Sequence, residues 1–250
     1  MISNFLRQCI PERFRPIGYL VHMTQTRTGC TVLQGPFKGM HYAEDSQGSA
    51  YIPKLLGIYE RELSSIIEEI ISKTPKSIVD IGAAEGYYAI GLARRLPNTK
   101  IVAFEMEAKG SEKLLMMAEA NEVNDRIELH GKCEVDCLES AINSNASSVI
   151  ICDVEGYETE LLDPGKVPSL KFVSILVEVH DFIIDGITDK LYQRFNITHD
   201  IKRIWEQPRS VSDFPWRTLG TAILPKSYLK WSVSEWRPVR MSWLWMTPRA

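Results

Sequence analysis

Two short stretches bring together side chains that can do chemistry, and each follows an apolar run. Asp153-Val154-Glu155 places two carboxylates two residues apart after Ser148 to Cys152; Glu178-Val179-His180 places a carboxylate and an imidazole at the same spacing after Phe172 to Val177. Either acid of the first pair can take a proton from a hydroxyl as a general base, or hold a divalent metal ion. In extended backbone Glu178 and His180 point to the same side. With Asp153 they then form an O,N donor set suited to Mg²⁺ or Mn²⁺. Without a metal, His180 becomes the alternative base. A plainer account has Asp153 and Glu155 capping a helix that starts near Gly156, since acids favour helix N-termini. It has Glu178 satisfied by a backbone amide and His180 by a hydrogen bond at a strand end.

A third stretch offers its backbone. Ser77-Ile78-Val79-Asp80-Ile81 is apolar up to an acid, and Gly82-Ala83-Ala84-Glu85-Gly86 then leads into a helical pattern. That order predicts a strand, a tight turn and a helix N-terminus, where glycine lets a small molecule approach the main chain. A dinucleotide fingerprint reads Gly-x-Gly-x-x-Gly, and the middle glycine is missing here because position 84 is alanine. Asp80, just ahead of the first glycine, suits a cationic ligand and repels a pyrophosphate. Glu105 follows Ile101-Val102-Ala103-Phe104. A carboxylate at that strand end accepts two hydrogen bonds from a ribose diol, so it points to a nucleoside; otherwise it is a solvated charge. Met106 either packs on an adenine face or fills a gap.

Strands and helices must alternate to place these residues. The pattern predicts strands at 77–81, 100–104, 126–129, 148–152 and 172–179, with helices at 86–95, 109–121, 134–143 and 157–162 between them. The runs at 149–152 and 172–177 are continuously apolar, as buried parallel strands are. The expected fold class is therefore α/β, a mostly parallel central sheet with helices on both faces, whose ligands bind outside the carboxyl ends of the strands. Ahead of it, Leu63, Ile66, Ile67, Ile70 and Ile71 make one stripe of a helix over Tyr59 to Ser72, and Pro75 stops it. Residues 1–74 form an N-terminal extension, with a short helix and extended pieces at 31–33 and 40–42. Residues 75–250 form the ligand-binding domain. After residue 182 a helix ends at Leu191 to Phe195, strands follow at 197–205 and 241–246, and 207–240 is an insertion or lid.

Val79 to Gly86 resembles the cofactor loop of class I S-adenosylmethionine-dependent methyltransferases, and Asp153-Val154-Glu155-Gly156-Tyr157-Glu158 resembles the Asp-x-Glu-Gly-x-Glu motif of their FkbM-type members. The likeness spans residues 77 to 182. Gly35 to Met40 and Leu55 to Glu60 are similar to segments that precede the Rossmann-like core in some FkbM-type proteins. The resemblance implies a Rossmann-like methyltransferase fold and S-adenosylmethionine as cofactor. It implies that Asp80, Gly82, Ala83, Glu85 and Gly86 cradle the aminoacyl and ribose part, that Glu105, Met106 and Cys133 serve the nucleoside, and that Asp153 lies near the sulfonium. Many members carry an acid in the loop against the adenine; Lys132 and Cys133 stand there in this chain, so a backbone contact is expected instead. The implied reaction moves CH₃ to a hydroxyl of a glycan, glycolipid or secondary metabolite, with Glu155, Asp153 or His180 removing its proton. The related macrocin-type O-methyltransferases place metal-binding acids at these two strand ends, which adds a metal reading for Asp153, Glu178 and His180.

The composition narrows the alternatives. In 250 residues, 44% are hydrophobic, 24% are charged and the net charge is −3, as in a soluble globular protein with no global pull toward nucleic acid or an acidic membrane. A basic stripe with interleaved aromatics is missing apart from Trp231 to Arg240, and the Asp-Pro-Pro-Tyr type motif of nucleic acid N-methylating relatives is replaced by Asp153-Val154-Glu155-Gly156. No apolar run is long enough to span a membrane, and Met1 to Arg7 lacks a signal-peptide core. Five cysteines, Cys9, Cys30, Cys133, Cys137 and Cys152, fit no zinc spacing and are odd in number, so a reducing, cytoplasmic setting is expected. All six tryptophans follow residue 200: Trp205, Trp216, Trp231, Trp236, Trp243 and Trp245. They stack on a carbohydrate or aromatic acceptor, or bury the C-terminal segment against the core or a second subunit of a homo-oligomer. The rivals to a methyltransferase are a methyltransferase-like module that binds a nucleoside without catalysis, and a nucleotide-dependent oxidoreductase, which the missing glycine disfavours.

Overall fold

The computed structural model describes residues 15–43, 50–142 and 147–249. Cys9 and Asn143 lie outside them. The chain divides into two compact units, Met1–Arg61 with Gln207–Trp236, and Glu62–Glu206 with Arg237–Ala250.

The first unit opens with α1 (Pro16–Thr28) and α2 (Tyr51–Leu56), each closed by a left-handed glycine, Gly29 and Gly57. Between them the extended pieces form a narrow loop rather than strands. Thr31 and His41 make an isolated antiparallel bridge, and the Val32 amide donates to the Met40 carbonyl at 2.9 Å.

The second unit begins with α3 (Ser64–Lys73), whose buried Ile66, Ile67 and Ile70 are the expected stripe. A 3₁₀ turn, Arg61–Leu63, takes the place of the helix's first turn. Then follow β1 (Ser77–Ile81), α4 (Tyr87–Arg95), β2 (Lys100–Phe104), α5 (Ala108–Ala120), β3 (Ile127–His130), α6 (Val135–Ala141), β4 (Ser148–Cys152), α7 (Glu158–Leu161), β5 (Ser174–Val179), α8 (Ile187–Phe195) and β6 (His199–Trp205). After α9 (Leu219–Ile223) and α10 (Lys226–Val233), which belong to the first unit, β7 (Ser242–Pro248) ends the second.

The seven strands run in the order β3-β2-β1-β4-β5-β7-β6. The first five are parallel; β7 lies antiparallel between β5 and β6. Every residue of β1 and β4 is buried, which explains why apolar residues dominate both. The edge strand β3 alternates instead. On one face, Val79, Ile81, Ile150 and Val177 pack with Leu138, Leu161, Leu191 and Phe195 of α6, α7 and α8. On the other, the Lys73 ammonium of α3 lies over the Trp245 ring at 5.6 Å. This is a Rossmann-like α/β sheet, with β1, β2, β4 and β5 opening their carboxyl ends along one edge.

The inserted segment builds a second small core. Phe214, Leu229 and Val233 are buried with Leu20, Met23, Ile52, Leu56 and Ile58, and Trp216 packs on them. Trp243 and Trp245 are buried strand residues of β7, whereas Trp205, Trp231 and Trp236 are exposed. Among the described residues no helix is long and apolar enough to cross a membrane.

Candidate active site

The loop after β1 is shaped by close approach. Gly82 has φ +83°, and a Cβ on it would lie 1.8 Å from the Asp153 carbonyl oxygen, so any side chain would push the β1 and β4 ends apart. Gly86, at φ +93°, opens α4; a Cβ there would come within 2.9 Å of Leu114 Cγ. Ala84 also adopts a left-handed backbone, φ +48°. The alanine at the middle position therefore keeps a conformation that glycine would hold at lower cost.

Glu105 holds that alanine in place. One carboxylate oxygen accepts from the Ala84 amide at 2.7 Å and the other from the Glu107 amide at 2.6 Å. The expected ribose acceptor is thus already a brace between the ends of β1 and β2. Each oxygen has a second lone pair for a ligand hydroxyl. Ala83, Glu85 and Glu105 are buried, while Met106 beside them is 69% exposed. The Cys133 side chain is buried in the sheet core, and burial pushes its thiol up to about 12. The neighbouring Lys132 pairs with Glu134 at 2.7 Å and lies over the Tyr157 ring at 4.9 Å.

Asp80 is a strongly perturbed acid of the loop. It is buried at the end of β1, and one of its oxygens has no hydrogen-bond partner. Burial is the largest cause of its raised pKa; the Asp153 and Glu105 charges add to it, a hydrogen bond from the Ala89 amide opposes them, and the net is about 7. A buried carboxylate with an orphaned oxygen among other acids is a ready receptor for a cation.

At the ends of β4 and β5, Asp153, Glu178 and His180 converge. One ligand atom from each lies within 4.8 Å of the others. His180 is held from behind by Glu158, whose Oε1 lies 2.5 Å from its Nδ1 and also accepts from the Gly156 amide at 3.1 Å. Glu158 is fully buried and its Oε2 has no partner. An ionised Glu158 fixes the tautomer with the proton on Nδ1, leaving Nε2 to face Asp153 Oδ1 at 3.6 Å. Burial pulls the His180 pKa down, but the Glu158 hydrogen bond and the Asp153, Glu158 and Glu155 charges outweigh it, and the net direction is up.

The plainer capping account does not describe these acids. Helix α7 has four residues, begins after Tyr157 and carries no side-chain cap. Glu155 instead stands exposed at φ +46°, followed by Gly156 at φ +105°. Glu178 is satisfied by Arg237, an ion pair in which both side chains are largely buried. The Arg237 guanidinium also lies 4.9 Å from the centre of the Trp243 ring, and Trp243 is the cross-strand partner of Glu178. Glu158 and Arg237 were not singled out from the sequence. Glu158 closes the motif that begins at Asp153, a signal within reach; Arg237 carried none.

Compared with protein-family models and with curated protein sequences, the chain shows no match. Among solved structures it is similar to a putative O-methyltransferase from Klebsiella pneumoniae, with 13% identity, 98% of this chain and 96% of that one covered, and a TM-score of 0.48. It is also similar to TomG from Streptomyces achromogenes, an O-methyltransferase of tomaymycin synthesis in complex with S-adenosylmethionine (15% identity, 98% and 96% covered, TM-score 0.48). An O-methyltransferase from Bacillus cereus in complex with S-adenosylhomocysteine gives 15% identity, 92% and 91% covered, and 0.48. The assignment of the fold rests on the strand order and register above.

Proposed function

We propose that this protein is an S-adenosylmethionine-dependent O-methyltransferase of FkbM type. The observation that carries the reading is the set of acids at neighbouring strand ends of a β3-β2-β1-β4-β5-β7-β6 sheet: Asp80, Glu105, Asp153 and the Glu158–His180 pair. S-adenosylmethionine, when bound, supplies a methyl group already activated on a cationic sulfur. Asp80 then attracts the cationic part of the ligand, and Glu105 and the Ala84 loop receive its ribose. What is left for the protein is to align an acceptor hydroxyl and take its proton.

His180 is the base we favour over Glu155 and Asp153. Its Nε2 is the atom turned toward Asp153, and Glu158 stabilises the imidazolium that forms, as a buried carboxylate does behind a catalytic histidine. With the methyl group so supplied, the new O–C bond would replace the C–S bond, leaving S-adenosylhomocysteine, and His180 Nε2 would take the hydroxyl proton. The acceptor is a hydroxyl of a glycan, glycolipid or secondary metabolite. A cytoplasmic setting belongs to the same reading, in keeping with the free thiols of Cys30, Cys133, Cys137 and Cys152.

Titration calorimetry with S-adenosylhomocysteine tests the reading. One molecule should bind per chain, and NAD should not compete. A preference for NAD would refute it. Binding without methyl transfer in a broad hydroxyl-acceptor screen would favour the non-catalytic nucleoside-binding alternative. In an active preparation, His180→Ala should lower turnover by roughly 10²–10⁴ with cofactor affinity nearly intact. Glu158→Gln should move the rising limb of the pH profile to lower pH, as it removes the charge that raises the His180 pKa.

A further inference from the structure

The donor atoms of Asp153, Glu178 and His180 span 4.8 Å or less, as those around a divalent ion do, and Glu158 orients His180 as outer carboxylates orient metal-binding histidines. Yet Glu178 is already matched with a cation. The Arg237 guanidinium donates to Glu178 Oε1 from Nη1 and lies over Trp243, its flat face set by an indole that sits opposite Glu178 in the β5–β7 register. Trp236, just before it, takes a left-handed backbone at φ +54°, a conformation a tryptophan keeps only where its surroundings impose it. A divalent ion on Glu178 would have to sit against a guanidinium whose charge cannot be titrated away.

We infer that Arg237 is the resident cation of this cleft and stands in for a metal: its guanidinium occupies Glu178, one of the three donors of the Asp153–Glu178–His180 cluster, and the protein works without a divalent ion. Arg237 is a positioning residue. It holds the Glu178 carboxylate in place beside His180 and Asp153, and it closes the coordination site that those three side chains would otherwise offer. Removing the arginine uncovers that site. The inference takes the name of the reaction from the methyl-transfer reading, but Mn²⁺ binding examines it separately, while S-adenosylhomocysteine binding examines that reading.

The probe is Mn²⁺ alone, followed by electron paramagnetic resonance and by calorimetry on the full chain. Wild-type protein should take up no stoichiometric Mn²⁺ at micromolar concentrations, and any turnover should survive chelator. Arg237→Met should gain one Mn²⁺ site per chain, at least ~10-fold tighter than any wild-type binding, because a fixed repulsive charge has been removed. Arg237→Met combined with Glu178→Gln should lose the gained site, and Arg237→Lys, which keeps the charge, should not acquire it. A merely structural arginine would give none of these changes in metal affinity. Stoichiometric Mn²⁺ on the wild type, or a folded Arg237→Met that binds none, overturns the inference. If Arg237→Met does not fold, the wild type and Arg237→Lys decide: Mn²⁺ bound by either at micromolar concentration overturns it, and Mn²⁺ bound by neither supports it.

Discussion

Replacing Asp80 by asparagine should stabilise the empty protein at alkaline pH and weaken its hold on a cationic ligand. The two effects share one cause. Burial lifts the Asp80 pKa from the usual 3.8 to about 7, so the folded state keeps a proton that the unfolded chain has given up. The folded chain then binds more protons than the unfolded one between those values, and stability falls as pH rises through that window. Roughly three pKa units at about 1.4 kcal/mol each correspond to about 4 kcal/mol of stability, present below pH 4 and lost above pH 7. Asparagine has no such titration. Urea denaturation of wild type and Asp80→Asn from pH 5 to 8 measures the difference: the advantage of the variant should grow with pH by up to about 1.4 kcal/mol per unit and level off above 7. A cationic ligand draws Asp80 into its charged form, so binding near pH 6 should release close to one proton per chain, seen as a dependence of calorimetric heat on the buffer's ionisation enthalpy. Asp80→Asn should show no such release. A stability gap that stays constant with pH, or a variant less stable than wild type at pH 8, would refute the argument.

The other acids of the cleft separate by assay. Glu105→Ala should weaken S-adenosylhomocysteine binding by about 1.5–3 kcal/mol, the loss of charge-assisted hydrogen bonds together with the brace on Ala84; unchanged affinity removes Glu105 from the site. Glu155→Gln should leave turnover within a few-fold of wild type, since that side chain is exposed, and a loss as large as that of His180→Ala would move the base to Glu155. In the first unit, Arg209 forms a buried pair with Glu235 at 2.5 Å and also donates to the Ile58 carbonyl at 2.9 Å. Arg209→Ala takes the guanidinium from a buried carboxylate that also accepts from the neutral Glu60 amide, and it should cost about 3–5 kcal/mol in thermal or denaturant unfolding; a change below 1 kcal/mol would mean that water reaches Glu235.

What could be read from the sequence was what parallel strands make local. β1 and β4 are mostly apolar because both their faces are buried, and each has an acid at its carboxyl end, Asp80 within β1 and Asp153 just after β4. Once Ser148 to Cys152 and Ser174 to Val179 are neighbours, Asp153, Glu178 and His180 must meet, and they do. The missed residues lie where local rules stop. Glu158 is five residues beyond Asp153, but the left-handed pair Glu155 and Gly156 lies between them, so neither strand nor helix periodicity says where Glu158 points. Arg237 reaches Glu178 across 59 positions of sequence, through a strand order in which β7 enters between β5 and β6. The first unit gave the weakest signal for the same reason. Its core joins Leu20 of α1 to Val233 of α10, and α2 buries five consecutive residues, Ile52 to Leu56, which leaves no amphipathic period to find. Sequence reading thus recovers a site to the extent that its residues end strands of one sheet; the groups that set the charge of those residues, Glu158 behind His180 and Arg237 against Glu178, come from turns and from distant chain, and only the folded arrangement assigns them.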